Sequence, residues 1–335
     1  MKKNVTMAEV AEYTNTSKST VSQYLNKRYE YMSESTKKRI EAAIKELNYH
    51  PNSVARSLKQ KTTYTVGVVV ANILHSFSTH VIRTLETKFI EHGFHTIICN
   101  ADDEPEKERN YIEMLLAKQV DGLVIFPTGG NLDLYEQMEK NGFPIVFVDR
   151  KIDGFNIDTV MLDNYRAAEL AVDRFVECNH SRISIVTTSV IRNISPRVER
   201  IEGFKKALKK HLLPIQLDYI KTADTENLQN VLAELFLLDS PPEAILAGND
   251  IVLIELLKYV KEHQLSIPED VAVIGIDDVS FAGFYMPPIT VVEQPKVDMA
   301  NKAAELLLEK ISDERKTEKT EIYRMEPIFI NRSSC

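Results

Sequence analysis

From Thr65 onward the sequence alternates apolar runs with amphipathic stretches, and it does so in two successive series. Apolar runs with no polar alternation are strands buried on both faces, which means parallel sheets flanked by helices. In the first series, strands at 65–71, 95–99, 122–126 and 144–148 are separated by helices at 78–92, 105–118 and 132–141. The second series runs helix 165–177, strand 182–187, helix 197–210, strand 218–221, helix 228–237, strand 244–247, helix 251–262 and strand 271–276. Two such series predict two doubly wound lobes. The region around Asn164 and the stretch 290–294 read as crossovers, and a helix over 297–311 returns to the first lobe. Lobe one is then about 64–162 and 293–321, and lobe two about 163–290 and 322–335.

Open parallel sheets bind ligands outside the carboxyl ends of their strands. The residues that follow each strand are therefore the candidate contacts. Asn72, Ser76 and Phe77 follow the first strand, Asp149 and Arg150 the fourth, Asn249 and Asp250 the run 244–247, and Asp277 the run 271–276. Arg197 and Arg200 open a helix of the second lobe, and Phe77 and Phe281 are candidate apolar walls. Three of these positions have a plain structural reading as well. Asp250 serves equally as a helix N-cap, Asp278 as a turn residue and Arg197 as a surface charge.

The first fifty residues have another character. Thr6 and Glu9 have capping-box spacing ahead of a short helix with Met7, Val10 and Ala11 on one side. Asn15 supplies a turn residue tolerant of the left-handed region. Ser17 caps a second helix from Lys18 to about Asn26, with Val21 and Leu25 facing inward. Lys18, Ser19, Thr20, Ser22, Gln23 and Asn26 are left to reach outward. Ser33 caps a third helix with an apolar stripe of Ile40, Ala43, Ile44 and Leu47. This is the pattern of a helix-turn-helix, whose second helix presents hydrogen-bonding side chains to base edges. A generic three-helix bundle would show the same stripes.

Charge separates the two parts. Residues 1–61 carry 12 Lys/Arg against 6 Asp/Glu, and the remainder 29 against 43. A basic head on an acidic body is drawn to polyphosphate by the head alone. No apolar run approaches the ~18 residues of a membrane span, and Met1-Lys2-Lys3-Asn4 has no apolar stretch behind it. Cys99, Cys178 and Cys335 match no zinc or redox spacing, which suits a reducing cytoplasm. Enzyme signatures are missing. Gly129-Gly130 lacks the third Gly and the Lys of a phosphate loop, and no Ser sits in a nucleophile elbow. No His pair has i, i+4 metal spacing, and nothing in the pattern calls for a metal or cofactor.

Three stretches carry a family resemblance: VTMAEVA at 5–11, SKSTVSQYLN at 17–26 and YHPNSVARSL at 49–58. They resemble the head and hinge of the lactose/galactose repressor family, with Asn15 where Gly is usual and Gln23 where Arg is common. VDGL at 120–123, FVDR at 147–150, RIEGF at 200–204 and IGIDD at 274–278 resemble its periplasmic-binding-protein-like core. The resemblance implies an α plus α/β chain: head 1–50, hinge and linker 51–63, two-lobed core 64–335. It implies a hinge helix that forms when two subunits meet over DNA, with Asn52 as its cap and Ala55, Arg56, Leu58 and Lys59 against the duplex. Paired Leu58 side chains would wedge into a base step from the minor groove. It further implies a homodimer on a pseudo-palindromic operator and a small-molecule effector contacted by Asp149, Arg200, Asn249 and Asp277. Tyr24 and the run Tyr29-Glu30-Tyr31 are similar to repressors of ketodeoxygluconate and hexuronate use, which points to a sugar acid such as 2-keto-3-deoxygluconate. Control by a protein corepressor is the family's other mode.

Overall fold

The computed structural model describes residues 5–50, 62–312 and 320–335. The chain forms two compact units, Met1–Thr63 and Tyr64–Cys335. Asn52, Ala55, Arg56, Leu58 and Lys59, expected in the hinge, lie outside the described residues.

The small unit is a three-helix fold of α1 (Met7–Tyr13), α2 (Lys18–Leu25) and α3 (Glu34–Glu46). Each helix starts where a hydroxyl can take an orphan amide. Thr6 Oγ1 accepts from Glu9 N, and Glu9 Oε2 accepts from Thr6 N at 2.6 Å, closing the capping box. Ser17 and Ser33 cap α2 and α3. Asn15 turns the chain between α1 and α2 at φ +48°, a conformation Asn tolerates better than most residues. Val10, Ala11, Val21, Ile40 and Ala43 make the core. Tyr49 joins them, 6% exposed, although its motif reads as hinge in the sequence.

The large unit holds two six-stranded sheets. In lobe one, β1 (Thr65–Val70), β2 (His95–Asn100), β3 (Gly122–Ile125), β4 (Ile145–Val148), β5 (Thr159–Leu162) and β11 (Ile322–Met325) lie in the order β11-β5-β4-β3-β1-β2, all parallel. Alternate residues of β1 enter different cores. Val68 and Val70 pack beneath α4 (Ser76–Glu91) and α11 (Lys296–Ile311), and Val69 beneath α5 (Pro105–Ala117) and α6 (Leu132–Lys140). In lobe two, β6 (Ile183–Thr188), β7 (Ile220–Ala223), β8 (Ala244–Ala247), β9 (Ala272–Ile276), β10 (Thr290–Glu293) and β12 (Ile328–Ile330) lie in the order β12-β10-β9-β8-β6-β7. Only β12, against β10, is antiparallel. Its helices are α7 (Asn164–Glu177), α8 (Ser195–Lys210), α9 (Leu228–Phe236) and α10 (Asp250–Glu262).

The chain passes between the lobes three times, after β5, after β10 and after β11. The third passage corrects the sequence boundary. Residues 322–325, assigned to lobe two, pair with β5 in lobe one, and lobe two takes up the chain again only at β12. Four half-exposed residues leave no apolar run to read there. The stretch 290–294, read as a crossover, is mostly β10, with the passage following it.

Candidate functional site

In the head, α2 presents Lys18 and Ser19 to solvent, with Thr20, Ser22 and Gln23 half-exposed beside them. Several of the expected contacts already have local work. Ser17 Oγ lies 2.7 Å from Ser19 Oγ and 2.9 Å from Thr20 Oγ1, and Asn26 Nδ2 donates to Ser22 O. Thr6 is exposed within its capping box. A helix N-terminus ringed with hydroxyls and a lysine favours anions and hydrogen-bonding edges.

In the core, a cleft opens where the carboxyl ends of the two sheets meet, the place open parallel sheets leave for ligands. Asn72 after β1, Phe126 after β3 and Asp149 with Arg150 after β4 line it from lobe one, joined by Phe77 of α4. Lobe two contributes Asn249 after β8, Asp277 after β9, Gln294 after β10, and Arg197 and Arg200 from the first turns of α8. Asp149 and Asp277 occupy matching positions past their strands, at φ +68° and +84°. Non-glycine residues rarely hold that conformation, and it clusters at ligand sites.

The charges are arranged unevenly. Arg150 is 5% exposed and spent on protein partners: Asp103 Oδ1 at 2.9 Å, Asp149 Oδ2 at 3.5 Å and the Pro127 carbonyl. Burial pushes the Asp103 carboxyl up, but Arg150 and Arg197 outweigh it and hold the group below its ordinary value. Arg200 donates through Nε to Asn164 Oδ1 at 2.8 Å and through a terminal nitrogen to Gly248 O at 2.6 Å. Arg197 donates to Ser189 O. Among the described residues neither makes an ion pair with a carboxylate. Burial, then the nearby Arg150, lower the Arg197 guanidinium to about 10, still cationic at neutral pH. Burial raises Asp277 to about 6 against the pull of Arg200. Gln294 Nε2 donates to Asp277 Oδ1 at 2.8 Å, and Gln294 Oε1 has no partner among the described residues.

A second cluster ties the lobes together beside the cleft. Asp250, at the start of α10, reaches across to lobe one. Its Oδ1 lies 2.6 Å from His75 Nδ1 and its Oδ2 accepts from Ser76 N at 2.8 Å. Burial alone would lower His75, but Asp250 raises it, and His75 holds Asp250 below its ordinary value despite burial. The backbone N–H of Lys151 adds a bond to Ser195 Oγ from the other lobe.

Of the expected contacts, Asn72, Phe77, Asp149, Arg150, Arg197, Arg200, Asn249 and Asp277 meet at the cleft, and Ser76, Asp250 and Phe281 do not. Ser76 is drawn instead into the bridge to Asp250. Phe281 packs against the lobe-two core, because the turn holding Val279 and Ala282 inside carries its ring inward as well. Asn249, not Asp250, caps α10, accepting from Val252 N while its amide donates to Thr188 Oγ1. Arg197 is no surface charge, and Asp278 is held in a bidentate pair by Arg332. Sequence reasoning missed His75 and Gln294. Gln294 is the first residue past β10, and reading 290–293 as a strand would have exposed it. His75 carries no local signal.

A helix-turn-helix unit and two doubly wound lobes closing on a polar cleft define a periplasmic-binding-protein-like regulator. Residues 6–52 match the model for bacterial regulatory proteins of the lacI family, and 172–335 that for the periplasmic binding protein-like domain. The transcriptional regulator EndR of Paenibacillus polymyxa is 48% identical over 98% of both chains. The ribose operon repressor of Escherichia coli K12 is 32% identical over 98% of this chain and 99% of its own. The lac repressor dimer bound to operator and the anti-inducer ONPF superposes with a TM-score of 0.85, at 23% identity and 99% coverage of each chain. The chain belongs to the lacI family of bacterial regulatory proteins. It is a DNA-binding transcriptional repressor and not an enzyme. Among the described residues no helix is long and apolar enough to cross a membrane, and no group of three or more His, Cys, Asp or Glu could hold a metal ion.

Proposed function

We propose that the cleft binds a small carboxylated sugar and that this effector sets the protein's affinity for its operator. The observation that carries the reading is the pair Arg197 and Arg200, two guanidinium groups on the cleft wall with carbonyl and amide partners but no carboxylate. A planar fork offers two parallel donors to a carboxylate, a stronger bond than any it makes to a neutral hydroxyl. Asp149, Asn249, Asp277 and the open Oε1 of Gln294 would accept from sugar hydroxyls, with Phe77 and Phe126 as apolar walls. A keto-deoxy sugar acid such as 2-keto-3-deoxygluconate has this chemistry.

The protein then acts as a cytoplasmic homodimer on a pseudo-palindromic site, with Lys18, Ser19, Thr20, Ser22, Gln23 and Asn26 of each head reading one half. The effector prefers one arrangement of the lobes, since a ligand indifferent to the two would shift nothing. That preference alters the spacing of the two hinges and with it the operator contacts of Asn52, Ala55, Arg56, Leu58 and Lys59.

A thermal-shift panel of neutral sugars, sugar phosphates, uronic acids and keto-sugar acids tests the assignment. A ligand of the folded state at a hundred times its Kd stabilises by about 2.7 kcal/mol. The expected result is a shift by carboxylated sugars that Arg200→Ala abolishes. A shift by neutral sugars alone, or none by any compound, contradicts the acid assignment, and the second result favours a protein corepressor.

A further inference from the structure

Cys178 and Cys335 are 157 positions apart in sequence, and the fold brings their sulfurs to 3.0 Å. Cys178 is the C-cap of α7. Cys335 follows β12, and its place is fixed from both sides. The preceding Ser334 is fully buried, its Oγ accepting from Thr290 N and donating to Val273 O. Arg174, one turn before Cys178, donates to Cys335 O at 3.1 Å. Both thiols are half-buried, so a small reagent can reach them. Cys99 is buried in lobe one and serves as an internal control.

We propose that Cys178 and Cys335 form a reversible, redox-responsive disulfide that fastens β12 to the end of α7. The sulfurs are about 1 Å beyond the ~2.05 Å bonding distance. The oxidant is a low-molecular-weight disulfide. Cys178 attacks first as the thiolate, one sulfur of the small disulfide bonds to it, and the other leaves as a thiol after taking a proton. Cys335 then attacks the Cys178 sulfur, its own proton passes to the second departing thiol, and the protein disulfide closes. Two protein thiols lose two electrons and two protons, and the small disulfide gains both.

The order follows from the hydrogen bonding. Cys335 is the donor, toward Cys178 Sγ and the Arg174 carbonyl, and burial followed by the neighbouring thiol pushes it up to about 12. Cys335 keeps its proton, so Cys178 is the sulfur that attacks first. β12 ends the third passage between the lobes, and α7 begins at the first. Joining Cys178 to Cys335 ties the segment after β12 to the far end of α7, both within lobe two.

The test is to incubate the full-length protein across a series of reduced-to-oxidised glutathione ratios, quench by alkylation under denaturing conditions and map peptides by mass. A Cys178–Cys335 cross-linked peptide is expected, with Cys99 alkylated throughout. The unfolding midpoint of the oxidised protein should rise by several degrees and return on reduction. Cys335→Ser should leave only a glutathione mixed disulfide on Cys178, with no rise. A mixed disulfide that persists on Cys178 in the unmodified sequence, or thiols that stay free at every ratio, overturns the pairing. A cross-link that leaves the midpoint unchanged overturns the fastening role.

Discussion

His75 sits where the two lobes touch, with its Nδ1 2.6 Å from Asp250 Oδ1. The groups facing it are Asp250, Asp277 and Asp103, all acidic. Its folded value is raised, so the stabilisation is fully present below the ordinary imidazole value and is lost as pH rises through the raised one. Asp250 is lowered, so its contribution is present above the ordinary carboxylate value and is lost only in strong acid. Asp277, raised to about 6, ionises at a cost between its ordinary value of 3.8 and 6, so its penalty is complete above that. Between about pH 5.5 and 8, His75 and, at the acid end, Asp277 both lower stability as pH rises, while Asp250 is already ionised and adds no slope. The unfolding midpoint should fall as pH rises across that range, and His75→Gln should flatten the slope. An unchanged slope in the variant would show that the bridge to Asp250 does not carry the dependence. Arg200 is a separate matter, because its loss removes a charged hydrogen-bond donor at the cleft. Arg200→Ala should weaken effector binding by about 3 kcal/mol, more than a hundredfold, measurable by calorimetry.

Elements show how much of this molecule could be read in advance. Helices with a three- to four-residue apolar stripe, such as α3 and α11, were legible to within a residue or two. So were β1, β3, β4, β8 and β9, where no charged residue interrupts a run of small and apolar side chains. β5, β11 and β12 were not; β11 and β12 are edge strands with partly exposed residues, so no buried run marks them. The site followed the same rule. Residues one step past a legible strand were found, Gln294 past an illegible one was missed, and Phe281 was misplaced because a turn's facing is not periodic. Gly203 gives an element-scale test. A Cβ there would lie 2.8 Å from both the Cα and the carbonyl oxygen of Tyr165, so α8 packs backbone-close on α7. Gly203→Ala must push the helices apart at a cost of about 1–3 kcal/mol. A lower unfolding midpoint and weaker effector binding are expected together, because α8 carries Arg200. The hinge is testable apart from the core: Leu58→Ala should weaken operator binding while leaving effector affinity as it was.

At the scale of the whole molecule, opposite charges divide the labour. The basic head supplies a salt-dependent attraction to phosphate, the acidic core supplies none, and the cleft supplies a signal that need not touch DNA. Linkage requires that an effector altering operator affinity be altered equally by operator, so the coupling can be measured from either side. The direct measurement is fluorescence anisotropy of a labelled duplex, selected from random sequence by the full-length protein, titrated at fixed salt with and without saturating 2-keto-3-deoxygluconate. The account predicts that the sugar acid changes duplex affinity by about tenfold or more, and that Arg200→Ala binds the duplex equally well with or without it. Equal affinity in the two titrations of the unaltered protein would contradict control by an acidic sugar in the cleft.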